Sequence, residues 1–133
     1  MNSLPMLDQE AFLRLQDLLQ NQDIPPLLTG DQRRALTQWT DRGLVTFDDS
    51  ELADRVELHD RVTLVSPVDP ADWFQLEIVL PSEADIDQDR IPVTSAVSLA
   101  VLGRKTGERA EWETQAGTRA MTIASLQKNT VRS

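Results

Sequence analysis

Ser50, Asp54 and His59 are the residue types of a nucleophile, an orienting carboxylate and a general base, set within ten positions of one another. Such a triad also needs a strained nucleophile turn and an oxyanion site, and no Gly-x-Ser-x-Gly segment is present. The expected role of His59 is therefore that of an exposed histidine in a linker. Asp48 and Glu51 are three apart, a spacing that on a helix lets two carboxylates share a divalent cation. The simpler expectation is an acidic start to a short helical turn, favoured by the helix dipole. Glu83, Asp85, Asp87 and Asp89 alternate like calcium ligands. They lack the glycine and terminal glutamate of an EF-hand and read as a solvated acidic loop. Gly103 and Gly107 stand apart, so no phosphate loop exists. The chain has no cysteine and one histidine, which excludes disulfides, thiolate metal sites and a zinc site with two imidazoles. The expectation is a protein that is not an enzyme, with no catalytic residue, no metal and no cofactor.

Charge narrows the class further. Thirteen Lys and Arg against 22 Asp and Glu give a net charge of -9 over 133 residues. Phosphate backbones are bound through an excess of basic side chains, so autonomous nucleic-acid binding is not expected. No run approaches the roughly 20 apolar residues of a membrane span. The opening Met1-Asn2-Ser3-Leu4-Pro5 lacks a basic region followed by an apolar one, so a cytoplasmic protein is expected.

The elements that must position these residues follow from periodicity. Leu7, Ala11, Leu15 and Leu18 or Leu19 recur at helical spacing across Leu7–Gln20, and Pro25-Pro26 forbids continuation. Thr29 with Gln32 three residues later predicts a capping box for a second helix, with Ala35, Leu36 and Trp39 on one face. Gly43 suits a left-handed cap. Residues 1–43 thus predict a short antiparallel helical hairpin. Residues 44–58 have no sustained period and read as a linker with one helical turn, 44–55 separating the hairpin from the sheet domain. Arg61–Val65 and Trp73–Leu80 alternate as strands, the second with Phe74, Leu76, Ile78 and Leu80 on one face. Ile91-Pro92-Val93 is short and extended, and Ser95 can cap a helix over Ala96–Leu102 that Gly103 ends. Arg109–Thr114 and Arg119–Leu126 predict a hairpin around Gln115-Ala116-Gly117-Thr118. Gln127–Ser133 reads as a polar, frayed tail. Helices segregated from antiparallel strands indicate an α+β fold. The hairpin and the sheet domain at 56–126 are expected to fold separately.

Residues Glu83–Glu108 resemble the C-terminal domain of the bacterial Gre transcript-cleavage factors. That family shows an acidic or polar loop, then Ile-Ser-Val-x-Ser-Pro, a short helix ending Ala-Leu-x-Gly, and Gly-Asp before the last hairpin. Ile91, Val93, Ser95, Leu102, Gly103 and Gly107 match by position. Ala96 replaces the proline, Val101 the alanine and Glu108 the aspartate. Val56–Leu64 is similar to the segment leading into the family's first strand, so the resemblance covers 56–126.

The resemblance implies an FKBP-like sheet domain that docks on RNA polymerase at the rim of the secondary channel, against a coiled coil of the largest subunit. In the cleavage factors an N-terminal coiled coil enters the channel, and two acids at its tip help hold magnesium at the polymerase's own active centre. Here Asp23 is the sole carboxylate of the turn Asn21–Gly30, and the arm is much shorter. Both features resemble the Rnk subgroup, regulators of nucleoside diphosphate kinase, which share the docking domain but lack the catalytic acids. The resemblance thus implies a non-catalytic regulator that competes with cleavage factors. It places Thr94, Ser95 and Val97 against the polymerase rim. Two alternatives stay open: a cleavage-stimulating factor using Asp48 and Glu51, which would have to lie at a protruding tip, and an interaction module for another protein.

Overall fold

The computed structural model describes residues 4–20 and 28–128. Met6–Asp8 forms strand β1, and the chain passes directly into α1, Gln9–Gln20. Asp8 makes the change of conformation possible. Its Oδ1 accepts the Ala11 amide at 2.8 Å, satisfying a donor that the first helical turn leaves unpaired. Leu7, expected to open the helix, is instead the buried centre of β1.

The second helix, α2, runs Gly30–Arg42 and carries the expected capping box. Gln32 N donates to Thr29 Oγ1 at 3.1 Å, and Thr29 N donates to Gln32 Oε1 at 2.9 Å. Arg33 Nη1 donates to Leu19 O at 2.8 Å, so a side chain of α2 satisfies a carbonyl near the end of α1. The turn at 21–27, with Asp23 and Pro25-Pro26, lies outside the described residues.

Gly43 does not adopt the expected left-handed cap; its φ is -67°. What it provides is space. A Cβ there would lie 2.4 Å from the Trp39 ring.

The stretch 44–55, expected as a linker, is built into the fold. Leu44–Thr46 is strand β2, parallel to β1 with Val45 opposite Leu7, and Asp49–Leu52 is a 3-10 turn. Leu52 and Arg55 are buried. Elements of three and four residues are too short to leave a period in sequence.

The main sheet holds β3 (Arg61–Val65), β4 (Trp73–Val79), β5 (Arg90–Pro92), β6 (Arg109–Thr114) and β7 (Gly117–Gln127), in the order β5-β4-β3-β7-β6. Its pairings are antiparallel except β4 with β5, which is parallel, so the expected antiparallel sheet is in fact mixed. The acidic connection between β4 and β5 is the reason. It folds into two 3-10 turns, Pro81–Glu83 and Ile86–Gln88, and returns the chain so that it re-enters in the same direction.

Leu76 and Ile78 of β4 point inward with Val62, Leu64, Met121 and Ile123. Helix α3, Ala96–Val101, lies over this face, one residue shorter than expected. The hairpin closes the same core: Leu7, Leu15, Leu36 and Trp39 belong to one buried cluster with the sheet residues. Trp39 Nε1 donates to Leu102 O at 3.3 Å across that junction. Gly103, at φ 78°, lets the backbones meet there. Its carbonyl accepts Met6 N at 3.1 Å, and a Cβ would lie 2.6 Å from that same nitrogen. Among the described residues no helix is long and apolar enough to cross a membrane.

Candidate functional site

The segment from β5 into α3 is the surface that the sequence singles out. β5 aligns Ile91 with Ile78, and Val93 N donates to Val79 O at 2.7 Å, which fixes the approach to the helix. Ser95 caps α3: Ser98 N donates to Ser95 Oγ at 3.3 Å, and Ser95 Oγ donates to Ser98 Oγ at 2.9 Å. Of the three candidate docking residues, Thr94 is buried, with 4% of its surface exposed, whereas Ser95 and Val97 are half-buried. Val97 also packs against the core. Thr94 is therefore not the open position that a docking probe requires. Ala96 is exposed and is the first residue of α3. Proline is tolerated at that helical position, so alanine there leaves the local backbone unchanged.

The acidic pair is not at a tip. Asp48 and Glu51 follow β2 at the root of the hairpin, opposite the end where α1 and α2 are joined. Both carboxylates are engaged locally. Glu51 Oε1 accepts Thr46 Oγ1 at 2.7 Å, and Asp48 Oδ1 accepts Ser50 Oγ at 2.7 Å and Ser50 N at 3.0 Å. The Ser50 hydroxyl and amide hold the Asp48 carboxyl below its ordinary value. No group of three or more His, Cys, Asp or Glu able to hold a metal is found among the described residues.

Ser50 and His59 are likewise not brought together. His59 is a half-buried residue with a left-handed backbone, φ 72°, rather than an exposed linker side chain. Its amide donates to Ile78 O at 2.6 Å, and its Nε2 lies 2.8 Å from Glu83 Oε1. That carboxylate oxygen also accepts Leu80 N at 3.1 Å, so one acid joins His59 to the turn that leads toward β5. The pair lies on a cleft of about 340 Å³ between the start of α1 and the 57–60 turn. Burial alone would raise the Glu83 carboxyl. The His59 and Leu80 hydrogen bonds, with the charges of His59 and Arg90, outweigh it and hold the group below its ordinary 4.5.

A carboxyl depressed by folding stabilises fully above its unfolded value and loses that contribution as pH falls through its folded value. The urea midpoint of the wild type is therefore expected to drop more between about pH 6 and about pH 3 than that of Glu83→Gln. Parallel midpoints would show that the Glu83 carboxylate adds no pH-dependent stability.

Sequence reasoning missed two cations. Arg55 is buried and donates from Nη1 to Gly103 O at 2.7 Å and Leu4 O at 3.1 Å. Lys128 lies in what was expected to be a frayed tail. Its Nζ reaches Asp60 Oδ2, 68 positions away, at 2.6 Å, and Gln127 beside it belongs to β7. No local pattern announces a partner so distant in sequence.

A family model described as "Transcription elongation factor, GreA/GreB, C-term" matches residues 50–128. This chain belongs to the GreA/GreB transcription elongation factor family. GreA from Hyphomonas neptunium is 37% identical over 62 residues, which are 47% of this chain and 40% of that relative. The match thus spans about two-fifths of the relative's length. Among solved structures, a GreA/GreB elongation factor from Nitrosomonas europaea superposes with a TM-score of 0.71 at 23% identity, covering 95% of this chain and 99% of that one. Gfh1 from Thermus aquaticus gives 0.52 at 15% identity, covering 94% and 99%. These superpositions establish a GreA/GreB-type fold, with a helical hairpin ahead of a sheet domain. The family match includes the cap of α3, the junction at Gly103 and Lys128, and stops short of the hairpin.

Proposed function

We propose that this GreA/GreB-family protein is a non-catalytic transcription regulator of the Rnk type. In this reading its FKBP-like sheet domain binds RNA polymerase at the rim of the secondary channel, against the coiled coil of the largest subunit. It competes there with Gre cleavage factors. Ser95 and Val97, with Thr94 buried behind them, form the docking segment, and exposed Ala96 is its most accessible point.

The observation that carries this reading is the length of the arm. Helices of 12 and 13 residues at about 1.5 Å per residue reach only about 20 Å from their root. Stimulating hydrolysis at a remote metal centre requires both reach and carboxylates placed at the ion. The described arm offers little of either. Asp31, the acid of α2 nearest the turn, is paired with Arg34 at 3.0 Å. Asp48 and Glu51, the acids of a cleavage-factor reading, sit at the root and bond to Thr46 and Ser50. What is left is a docking surface with a short arm, suited to occupancy.

The test is a backtracked polymerase complex. The protein alone is expected to release no short 3′ RNA fragments at any magnesium concentration. Added in excess, it is expected to suppress the cleavage that GreA stimulates. Fragment release by the protein itself would overturn the non-catalytic reading. Undiminished GreA cleavage, together with no binding to core polymerase, would favour an interaction module for another partner.

A further inference from the structure

The β1–β2 ribbon has one flank without a neighbour. Among the described residues β2 pairs only with β1, whose far side is engaged through Met6 N on Gly103 O. In a parallel ladder alternate residues bond to the same neighbour. Leu44 N donates to Pro5 O at 2.8 Å, so in this register Leu44 and Thr46 address β1. The amide and carbonyl of Val45 therefore point to the open side. Trans peptide geometry sends Gly43 O and Phe47 N the same way, opposite the Leu44 amide and the Thr46 carbonyl. The flank is also apolar: Leu44 and Val45 are exposed, and Phe47 is 82% exposed.

An open edge is a template for a further strand. Charge indicates which strand. Arg42 stands three residues before Val45 and Asp48 three after. An antiparallel pairing of β2 with β2 of a second copy, centred on Val45, therefore brings each Arg42 toward the other copy's Asp48. Both side chains are exposed. Arg42 has no ion pair among the described residues, and a charge close to it is that of Arg104, of like sign. Asp48 bonds to Ser50 through Oδ1, and no described residue donates to its Oδ2. Gly43 falls opposite Phe47 in this register, so the aromatic ring meets a residue with no side chain of its own.

We propose that β2 is a self-association edge, at which two copies pair β2 against β2 about a two-fold axis through Val45. Each Val45 N–H donates to the Val45 carbonyl across the axis, and each Phe47 N donates to Gly43 O of the second copy. The ribbon becomes four strands, β1-β2-β2-β1, with an Arg42–Asp48 ion pair at each end. The contact is closed, because the same residues serve both copies and both open flanks are used. A contact of this length lies below the roughly 1,200 Å² of a standard interface, so the dimer is weak and depends on concentration. The pairing does not rest on the polymerase reading.

The experiment is sedimentation velocity on the full chain from about 5 μM to about 1 mM. Salt of about 0.15 M screens the net charge of -9 on each copy beyond about 8 Å. The wild type is expected to shift from monomer to dimer across that range. Val45→Pro removes the outward N–H and leaves the bonds to β1 in place, and proline is tolerated at such an edge position. It is expected to keep its circular dichroism and to weaken association at least about tenfold. Arg42→Glu and Asp48→Lys are each expected to weaken association comparably, because like charges then meet across the axis. Mixed in equal amounts, these two variants are expected to associate again: the introduced carboxylate meets the introduced ammonium, and the native pair re-forms at the other end. The charge variants leave the strand untouched, so they decide the matter even where Val45→Pro does not fold. A wild type that stays monomeric throughout overturns the pairing and leaves the edge to a strand of an unlike protein. A folded Val45→Pro that dimerises as the wild type does also overturns it, as does a mixture that associates no better than its components. Oligomers larger than a dimer refute the closed two-fold arrangement.

Discussion

Deleting residues 1–43 is expected to abolish cooperative unfolding in the remaining chain. Leu7, Leu15, Leu36 and Trp39 come from that segment and are almost wholly buried against residues of the sheet domain. Burying one large apolar side chain is worth about 1.5–3 kcal/mol. Four such side chains rival the entire net stability of an ordinary domain, about 5–15 kcal/mol. The deletion also removes the Trp39 donor from Leu102 O and the Met6 donor from Gly103 O. The sequence pattern suggested the opposite, a hairpin separable at an aperiodic linker. The shared core is what reverses the expected outcome. Thermal and urea unfolding followed by circular dichroism would measure it, with Trp39→Ala as the milder companion, expected to cost about 3–5 kcal/mol. A truncated chain that still melts in one sharp transition would show that the sheet domain folds alone.

Thr94→Arg and Ala96→Arg are expected to fail in opposite ways. Thr94 is 4% exposed, so an arginine there must force a charge into the core or displace α3. Burying an unpaired charge is among the few single changes that cost more than about 4 kcal/mol, and this variant should lose its stability first. Ala96 is exposed at the first helical position, where substitutions usually stay within about 0.5 kcal/mol. Ala96→Arg should therefore keep the wild-type melting temperature. If the β5–α3 segment meets the polymerase, that arginine obstructs a packed surface, and losses at such central positions reach about 2 kcal/mol or more, roughly thirtyfold in affinity. Binding to core polymerase by a well-folded Ala96→Arg variant at wild-type affinity would remove this segment as the docking surface. Ser95→Ala separates capping from contact, because loss of the cap lowers stability by about 0.5–2 kcal/mol whether or not a partner is present.

Much of the local structure was legible in the chain. The capping box at Thr29 and Gln32, the inward face of β4, the cap at Ser95 and the β6–β7 hairpin each depend on residues within a few positions of one another. Interactions of that range leave their pattern in sequence. The family resemblance was legible for the same reason, since the run from Ile91 to Gly107 is one short continuous motif. The boundaries failed where a tertiary contact overrode a local preference. Leu7 fits a helical period but lies buried in the core within β1, paired with Val45, and Gly43 looks like a left-handed cap but leaves room for the Trp39 ring.

By itself the sequence determined an α+β chain with a short helical arm ahead of a sheet domain, the α3 segment that carries the family signature, and the lack of cysteine and of a second histidine. Those follow from composition and from periods that one element displays alone. Only the tertiary structure decided that arm and sheet share one core, that Thr94 is buried while Ala96 is open, that Asp48 and Glu51 lie at the arm's root, and that Lys128 closes on 52–60. Burial and ion pairing are set by residues tens of positions apart, and a one-dimensional pattern records the chemistry of each partner without recording which of them will meet.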